Sequence, residues 1–215
     1  MTVSAVVPAK TFARAKSRLS GALDAASRAE LARSMLGHVL GVLSASPAID
    51  DIVVVTDGDD VEAVGRARGA RCIRDRGEPP LRLAVDLGLE AVRRDTSGVA
   101  LVLMADLPWV TVEEIGRMLA RLREADVLVS PDAKRTGTNA LALAAHARMQ
   151  SAFGSTRSFA RHVATAGALG LRVGIHRSPG IAFDVDTPAD LAVLGALNGE
   201  TPIARPSGTG TVRRA

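Results

Sequence analysis

Residues 183–191 read FDVDTPADL, and two of its aspartates, Asp184 and Asp186, stand one residue apart. In an extended chain, residues two apart point to the same side. Carboxylates held side by side repel, and each raises the other's pKa unless a cation lies between them. A third acid, Asp106, belongs to the ADLP turn that follows the most continuous apolar run, residues 99–104 (VALVLM). The three together offer hard carboxylate oxygens, the ligand type that magnesium prefers. Opposite them in character is the segment PAKTFARAKSRL, where Lys10, Arg14, Lys16 and Arg18 fall within nine residues. Lysine supplies point charges and arginine a planar fork, and both suit a polyphosphate. Cations that hold phosphates, with acids that hold magnesium, are the equipment of phosphoryl or nucleotidyl transfer. Each piece alone has a plainer reading: a solvated basic loop, a turn aspartate before Pro108, or the approach to a helix that starts at Thr187-Pro188.

Two weaker stretches lie between these. Thr136-Gly137-Thr138-Asn139, preceded by Asp132, has the small residues that let backbone amides approach an anion; it is also an ordinary turn. In residues 153–162 (FGSTRSFARH), Ser158 could cap the following helix, whose N-terminus would suit an anion, while His162 reads as a surface or semi-buried helix histidine. The basic segment lacks the glycines and GK[ST] of a Walker loop, and it is not a GxGxxG turn. The four histidines (38, 146, 162, 176) show no metal spacing, no Ser–His–Asp or Cys–His arrangement stands out, and Cys72 reads as a small core residue.

The elements that must position these residues are legible from periodicity. Residues 3–7 form an apolar strand closed by Pro8. Residues 51–56 (DIVVVT) form a second, and a third lies around Cys72-Ile73. Residues 99–104 read as a central strand buried on both faces. Further strands are expected at 127–130, 139–144 and 171–175. Between them run helical patterns. The first has capping-box spacing at Ser27–Glu30, and another has Thr111 and Glu114 at its start and runs to about Glu124. Others pass through Val64, continue to about Arg93, cover 159–166 and close at 190–197. Alternation of strands and helices implies a three-layer αβα domain over residues 1–198, with a largely parallel mixed sheet that binds its ligand outside the carboxyl ends of the strands. Residues 199–215, rich in Pro, Gly, Ser and Arg, read as a disordered basic tail.

Composition narrows the function. The chain has 215 residues, 47% of them hydrophobic, with one Trp, four Phe and no Tyr. A net charge of +4 and a pI near 10.1 could serve nucleic acid, but the arginines are scattered and stacking aromatics are missing. A single cysteine excludes an intramolecular disulfide framework, and no apolar stretch approaches a membrane span. A soluble, unprocessed cytoplasmic protein is expected.

Taken in order, PAK-x5-KSRL, ADLP, D-x4-GTN, FG-x3-SF-x2-H and FDVDTPADL resemble the CofC/FbiD family of guanylyltransferases over about residues 3–197. The resemblance implies a nucleotide-diphospho-sugar transferase-like fold shared with the molybdenum cofactor guanylyltransferase. It implies coupling of 2-phospho-L-lactate, phosphoenolpyruvate or 3-phospho-D-glycerate to GTP with release of pyrophosphate, in biosynthesis of the deazaflavin coenzyme F-420. By the matching motifs, Asp106, Asp184 and Asp186 would hold Mg2+. Lys10, Lys16 and Arg18 would face the triphosphate, and Lys16, Arg18 and Asp106 would carry the chemistry. Thr138, Gly154 and Ser158 would bind the phospho-acid. The product would pass to a downstream deazaflavin transferase, and a homodimer is plausible for the family. Ala105 stands where relatives often have Gly, and Arg82 where many have Asn. Competing readings are a molybdopterin guanylyltransferase or a cytidylyltransferase of the same fold, which usually carry a glycine-rich first loop. A non-catalytic nucleotide- or nucleic-acid-binding domain is the alternative from a different class.

Overall fold

The computed structural model describes residues 2–75 and 80–197. Its centre is a seven-stranded sheet of β1 (Val3–Pro8), β2 (Asp51–Thr56), β3 (Arg71–Arg74), β4 (Val99–Leu103), β5 (Val127–Pro131), β6 (Thr138–Leu143) and β7 (Val173–Ile175). The strand order is β3-β2-β1-β4-β6-β5-β7. β1 pairs in parallel with β2 and β4, and β2 with β3. β6 runs antiparallel to both β4 and β5, which makes the sheet mixed. The sheet is therefore the mostly parallel, mixed one expected.

Side chains alternate along each strand, and the two resulting faces are both apolar. Val3, Ala5 and Val7 of β1, with Leu101 and Leu103 of β4, enter one cluster. Val6 and Val102 enter the other. The first cluster takes Leu36, Val39, Leu40 and Leu43 of α1 (Ala25–Ala45), Val61 of α2 (Asp59–Ala67), and Ile115 and Met118 of α4 (Val112–Ala120). The second takes Val85, Leu89 and Val92 of α3 (Leu81–Asp95) and Ala166 of α5 (Ser158–Ala168). Three layers follow directly from two apolar sheet faces. A four-residue turn, α6 (Pro179–Ala182), and a last helix, α7 (Pro188–Leu197), complete the described chain. None of the described helices is long and apolar enough to cross a membrane.

The helix starts correct the sequence reading in two places. α1 begins at Ala25, with Asp24 as its N-cap: the carboxylate accepts from Ser27 N at 2.7 Å. Ser27 is thus the capped residue, not the cap. Ser158 is the first residue of α5 behind Arg157, because its hydroxyl turns inward to Thr138 rather than over the helix end. Thr111 and Glu114 do form the expected capping box, although α4 stops at Ala120 and continues only as a 3-10 turn. The expected tail at 199–215 lies outside the described residues.

Asp24→Ala should lower the melting temperature by a few degrees, as loss of a helix cap does. Ser27→Ala, whose side chain caps nothing, should leave it unchanged. A larger loss in Ser27→Ala than in Asp24→Ala, read by circular dichroism, would contradict the assigned cap.

Candidate active site

After Pro8 the chain leaves the sheet and makes two short 3-10 turns, Phe12–Arg14 and Ser17–Leu19. Phe12 is buried against α1, and Leu19 packs with Leu23, Met35 and Val185. These two anchors turn the intervening polar side chains back toward the strand ends. Asp57, just after β2, and Asp60, in the first turn of α2, hold the backbone of the loop. Thr11 N donates to Asp57 Oδ1 at 3.0 Å, Phe12 N to Asp60 Oδ2 at 2.9 Å, and Arg14 pairs with Asp57. Lys16 lies in the left-handed region (φ 53°), which a non-glycine residue enters at some cost.

What holds Lys16 there is its ammonium group. Nζ lies 2.6 Å from Asp106 Oδ2 and 3.0 Å from Asp186 Oδ1, and the side chain is only 9% exposed. Arg18 reaches Asp186 Oδ2 at 3.2 Å from a solvent-exposed position. Asp106, Asp184 and Asp186 each offer an oxygen, and the three oxygens lie within 4.8 Å of one another. Asn139 Nδ2 donates to Asp184 Oδ1 at 3.1 Å and to the Ile181 carbonyl at 2.9 Å. Burial pushes the Asp184 carboxyl up to about 6, and the charges of Asp106 and Asp186 add to it against Asn139 and Lys16. Burial pulls the Lys16 amine down, but the charges of Asp106 and Asp186 outweigh it and hold the pKa raised.

Two loops far apart in sequence must meet for this, and one buried glutamate joins them. Glu114 accepts from Thr111 N within the capping box, then from Ser178 Oγ and from Gly180 N at 2.8 Å. A Cβ on Gly180 would run into the Glu114 carboxylate and the Trp109 carbonyl, so only glycine allows this approach. Trp109, after ADLP, stacks on Phe183, before Asp184, at 4.0 Å between centroids. Beyond the acids, Asp190 Oδ2 accepts from Asp186 N and Thr187 N, and Thr187 Oγ1 accepts from Asp190 N. That reciprocal cap starts α7 as the sequence predicts.

A cavity of about 350 Å³ opens over the ends of β1, β2 and β4, within the range of small-molecule sites. Lys10, Arg14, Lys16, Arg18, Asp106 and Asp186 all line it. Thr138, Gly154 and Ser158 do not line it; Thr138 and Ser158 meet next to Asn139, whereas Gly154 is exposed. Thr138 and Ser158 are buried, and Ser158 Oγ donates to Thr138 Oγ1 at 3.3 Å. Ala152 N donates to His162 Nε2 at 2.8 Å, so in the neutral ring the proton is on Nδ1 and is given to Thr138 Oγ1 at 3.0 Å. His162 is wholly buried rather than semi-buried, and burial takes its pKa down to about 4. Gly154 (φ 78°) packs on Leu81, itself a cavity residue, at 3.3 Å for a built Cβ. Arg82 pairs with Asp86 along α3.

The sequence reading missed Asn139, the loop-binding Asp57 and Asp60, and the second task of Glu114. Asn139 lay in plain view in GTN; the others are long-range contacts without a local pattern. The donor set fits a hard divalent cation: three carboxylates that share a site, one of them desolvated, and an ammonium already drawn in to offset their charge.

The family described as "Guanylyl transferase CofC like" matches residues 3–205. A phosphoenolpyruvate guanylyltransferase of Sphaerobacter thermophilus is 40% identical over 210 residues, covering 96% of this chain and 98% of its own. A 2-phospho-L-lactate guanylyltransferase of Methanothermobacter thermautotrophicus is 30% identical over 205 residues, covering 95% and 89%. Among solved structures, a 4-diphosphocytidyl-2C-methyl-D-erythritol synthase from Anaerococcus prevotii superposes with a TM-score of 0.64 at 13% identity, covering 93% and 96%. At that identity the likeness speaks for the fold alone, and the fold is the nucleotide-diphospho-sugar transferase-like one expected.

The buried imidazole makes stability pH-dependent with a definite sign. A histidine whose folded pKa is depressed, here to about 4, stabilises fully above its unfolded value, and that contribution is lost as pH falls from about 6.5 toward 4. Urea unfolding should show a loss on the order of 2 kcal/mol from this group between pH 7 and pH 5. His162→Gln, unable to take up the proton, should be less stable at pH 7 yet lack that part of the slope. Identical slopes in the two proteins would refute the assignment.

Proposed function

The chain belongs to the CofC-like guanylyl transferase family, and from that premise we propose that it joins the GMP unit of GTP to the phosphate of a small phosphorylated acid. The observation that carries this reading is Lys16, held at 2.6 and 3.0 Å between Asp106 and Asp186 on the wall of one cavity. Cation and acids are brought there from loops 90 and 170 residues apart in sequence, as charge management at a polyphosphate requires. The relative at 40% identity is named for phosphoenolpyruvate, and we take that acid ahead of 2-phospho-L-lactate and 3-phospho-D-glycerate.

In this reaction an oxygen of the acid's phosphate attacks the α-phosphorus of GTP. The bond from that phosphorus to the bridging oxygen breaks, and pyrophosphate leaves with the electron pair. The attacking oxygen is already ionised at neutral pH, so no general base is needed, in keeping with a site of acids and cations. The obstacle is the approach of two polyanions. Lys10, Lys16 and Arg18 would hold the triphosphate and offset charge that grows in the transition state. Asp106, Asp184 and Asp186 would hold the divalent ion that nucleotidyltransferases of this kind generally use, magnesium in our reading. When bound, it supplies positive charge against the phosphates. Lys16 would then turn from the carboxylates to a phosphate. Thr138, Gly154 and Ser158 would orient the acid, supported by the contact of Gly154 with Leu81 at the cavity wall. We assign the whole of this to a cytoplasmic domain over residues 1–198, whose product goes to the transferase that completes coenzyme F-420.

Pyrophosphate release from GTP with magnesium, measured with each of the three acids and the downstream transferase present, should be seen with phosphoenolpyruvate. Asp106→Asn and Asp186→Asn should each lower turnover by about 100-fold or more, with far-UV circular dichroism unchanged. Turnover within a few-fold of wild type in either variant would remove the acids from the reaction.

A further inference from the structure

We propose that Asp75 reads the base of the nucleotide, its carboxylate accepting from N1–H and the 2-amino group of guanine; this rests on the guanylyl reading above and makes it specific.

Asp75 follows β3, and its backbone amide donates to the Thr56 carbonyl at 2.9 Å, so the residue is fixed to the sheet. It lines the same cavity as the acids and cations. The other carboxylates of that wall are engaged: Asp57 by Thr11 N and Arg14, Asp106 by Lys16, Asp186 by Lys16 and Arg18. Asp75 differs. Its Oδ1 is withdrawn from solvent with no hydrogen-bond partner. A buried carboxylate oxygen without a donor is costly, and such a cost is tolerated where a ligand supplies the donor. Burial raises the pKa of the group, while the charges of Arg14, Lys10 and Arg74 oppose it.

Place and charge then decide which part of a nucleotide meets it. In the guanylyl reading the reacting phosphate lies beside Lys16, Arg18 and the three metal-binding acids, which leaves Asp75 to the base. Lys10 and Arg14 act on Asp75 through their charge, but no donor meets its Oδ1. The strand order runs β3-β2-β1-β4; Asp75 directly follows β3 and Asp106 lies three residues beyond β4, on strands three spacings or roughly 14 Å apart. That separation suits a nucleotide lying across the strand ends, base at Asp75 and α-phosphate at Asp106. Among the common bases, guanine alone presents two adjacent donors on its Watson–Crick edge. Adenine and cytosine each turn a ring-nitrogen acceptor toward a carboxylate, and uracil flanks its single donor with carbonyls. A site built to accept two hydrogen bonds rejects a base that leaves its oxygens unpaired.

The test compares kcat/KM for GTP, inosine triphosphate and xanthosine triphosphate in the wild type and in Asp75→Asn, at saturating phospho-acid. Inosine lacks the 2-amino group, so the wild type should prefer GTP over it by about 10- to 100-fold, the worth of one hydrogen bond to a charged group. Asp75→Asn should lose GTP by at least that factor and reverse the ranking of GTP and xanthosine triphosphate, whose 2-carbonyl accepts from the amide. Equal loss on all three nucleotides, or an unchanged ranking, overturns the role of Asp75 while leaving guanylyl transfer intact. So does equal use of GTP and inosine triphosphate by the wild type, a result that does not depend on the variant folding. Absence of any GTP turnover in the wild type overturns the guanylyl reading itself.

Discussion

Three carboxylates with oxygens inside 4.8 Å of one another demand positive charge, and much of the structure around the strand ends answers that demand. At such a separation each like-charge pair costs a few kcal/mol at an effective dielectric of about 20, before solvent screening. A small domain has only about 5–15 kcal/mol of net stability to set against it. The chain meets the repulsion in two ways. Lys16 enters with its amine between two of the acids, accepting a left-handed backbone to do so. Asp184, deeper and farther from the amine's direct reach, is instead the acid whose pKa rises.

The scaffold that imposes this closeness is built from neutral or satisfied contacts. Glu114 ties the start of α4 to the segment before the acidic loop, Trp109 stacks on Phe183, and Asn139 bridges β6 to Asp184. The bonds and stacking of these groups run to backbone, to neutral partners and to Asp184, so the backbone that carries the acids has support besides the Lys16 and Arg18 ion pairs that offset their charge. A site arranged in this way can exchange one cation for another without losing its shape. That is the property a polyphosphate enzyme needs when substrate and metal arrive together.

The pattern of strands was legible because buried strands read as short continuous apolar runs, and the acids because they fall at strand ends or two apart in an extended segment. The direction of β6 was not: an apolar strand buried on both faces reads the same forwards and backwards, and only its pairing with β4 and β5 makes it antiparallel. Helix caps were legible at Thr111, where the box is local. At α1 they were not, because Ser27 has the right neighbours but Asp24 has the reach. Asp57, Asp60 and Asp75 could not be singled out from their neighbours, since their meaning lies in loops 46 or more residues away or in a missing partner. Of the three residues named from the ordered motifs, Thr138 and Ser158 are buried and joined through the Thr138 hydroxyl, which also meets the neutral ring of His162, whereas Gly154 is exposed beside Leu81.

The central claim is that Lys16 supplies, in the free protein, the positive charge that a divalent ion would bring to Asp106, Asp184 and Asp186. Manganese titration of the nucleotide-free protein, followed by electron paramagnetic resonance, tests it most directly when the wild type is set beside Lys16→Met. Removal of a competing cation should tighten manganese binding, by about tenfold if the competition is worth about 1.4 kcal/mol. Weaker or unchanged binding in Lys16→Met would mean that the lysine does not stand in for the metal, and the account of the acid site would fail.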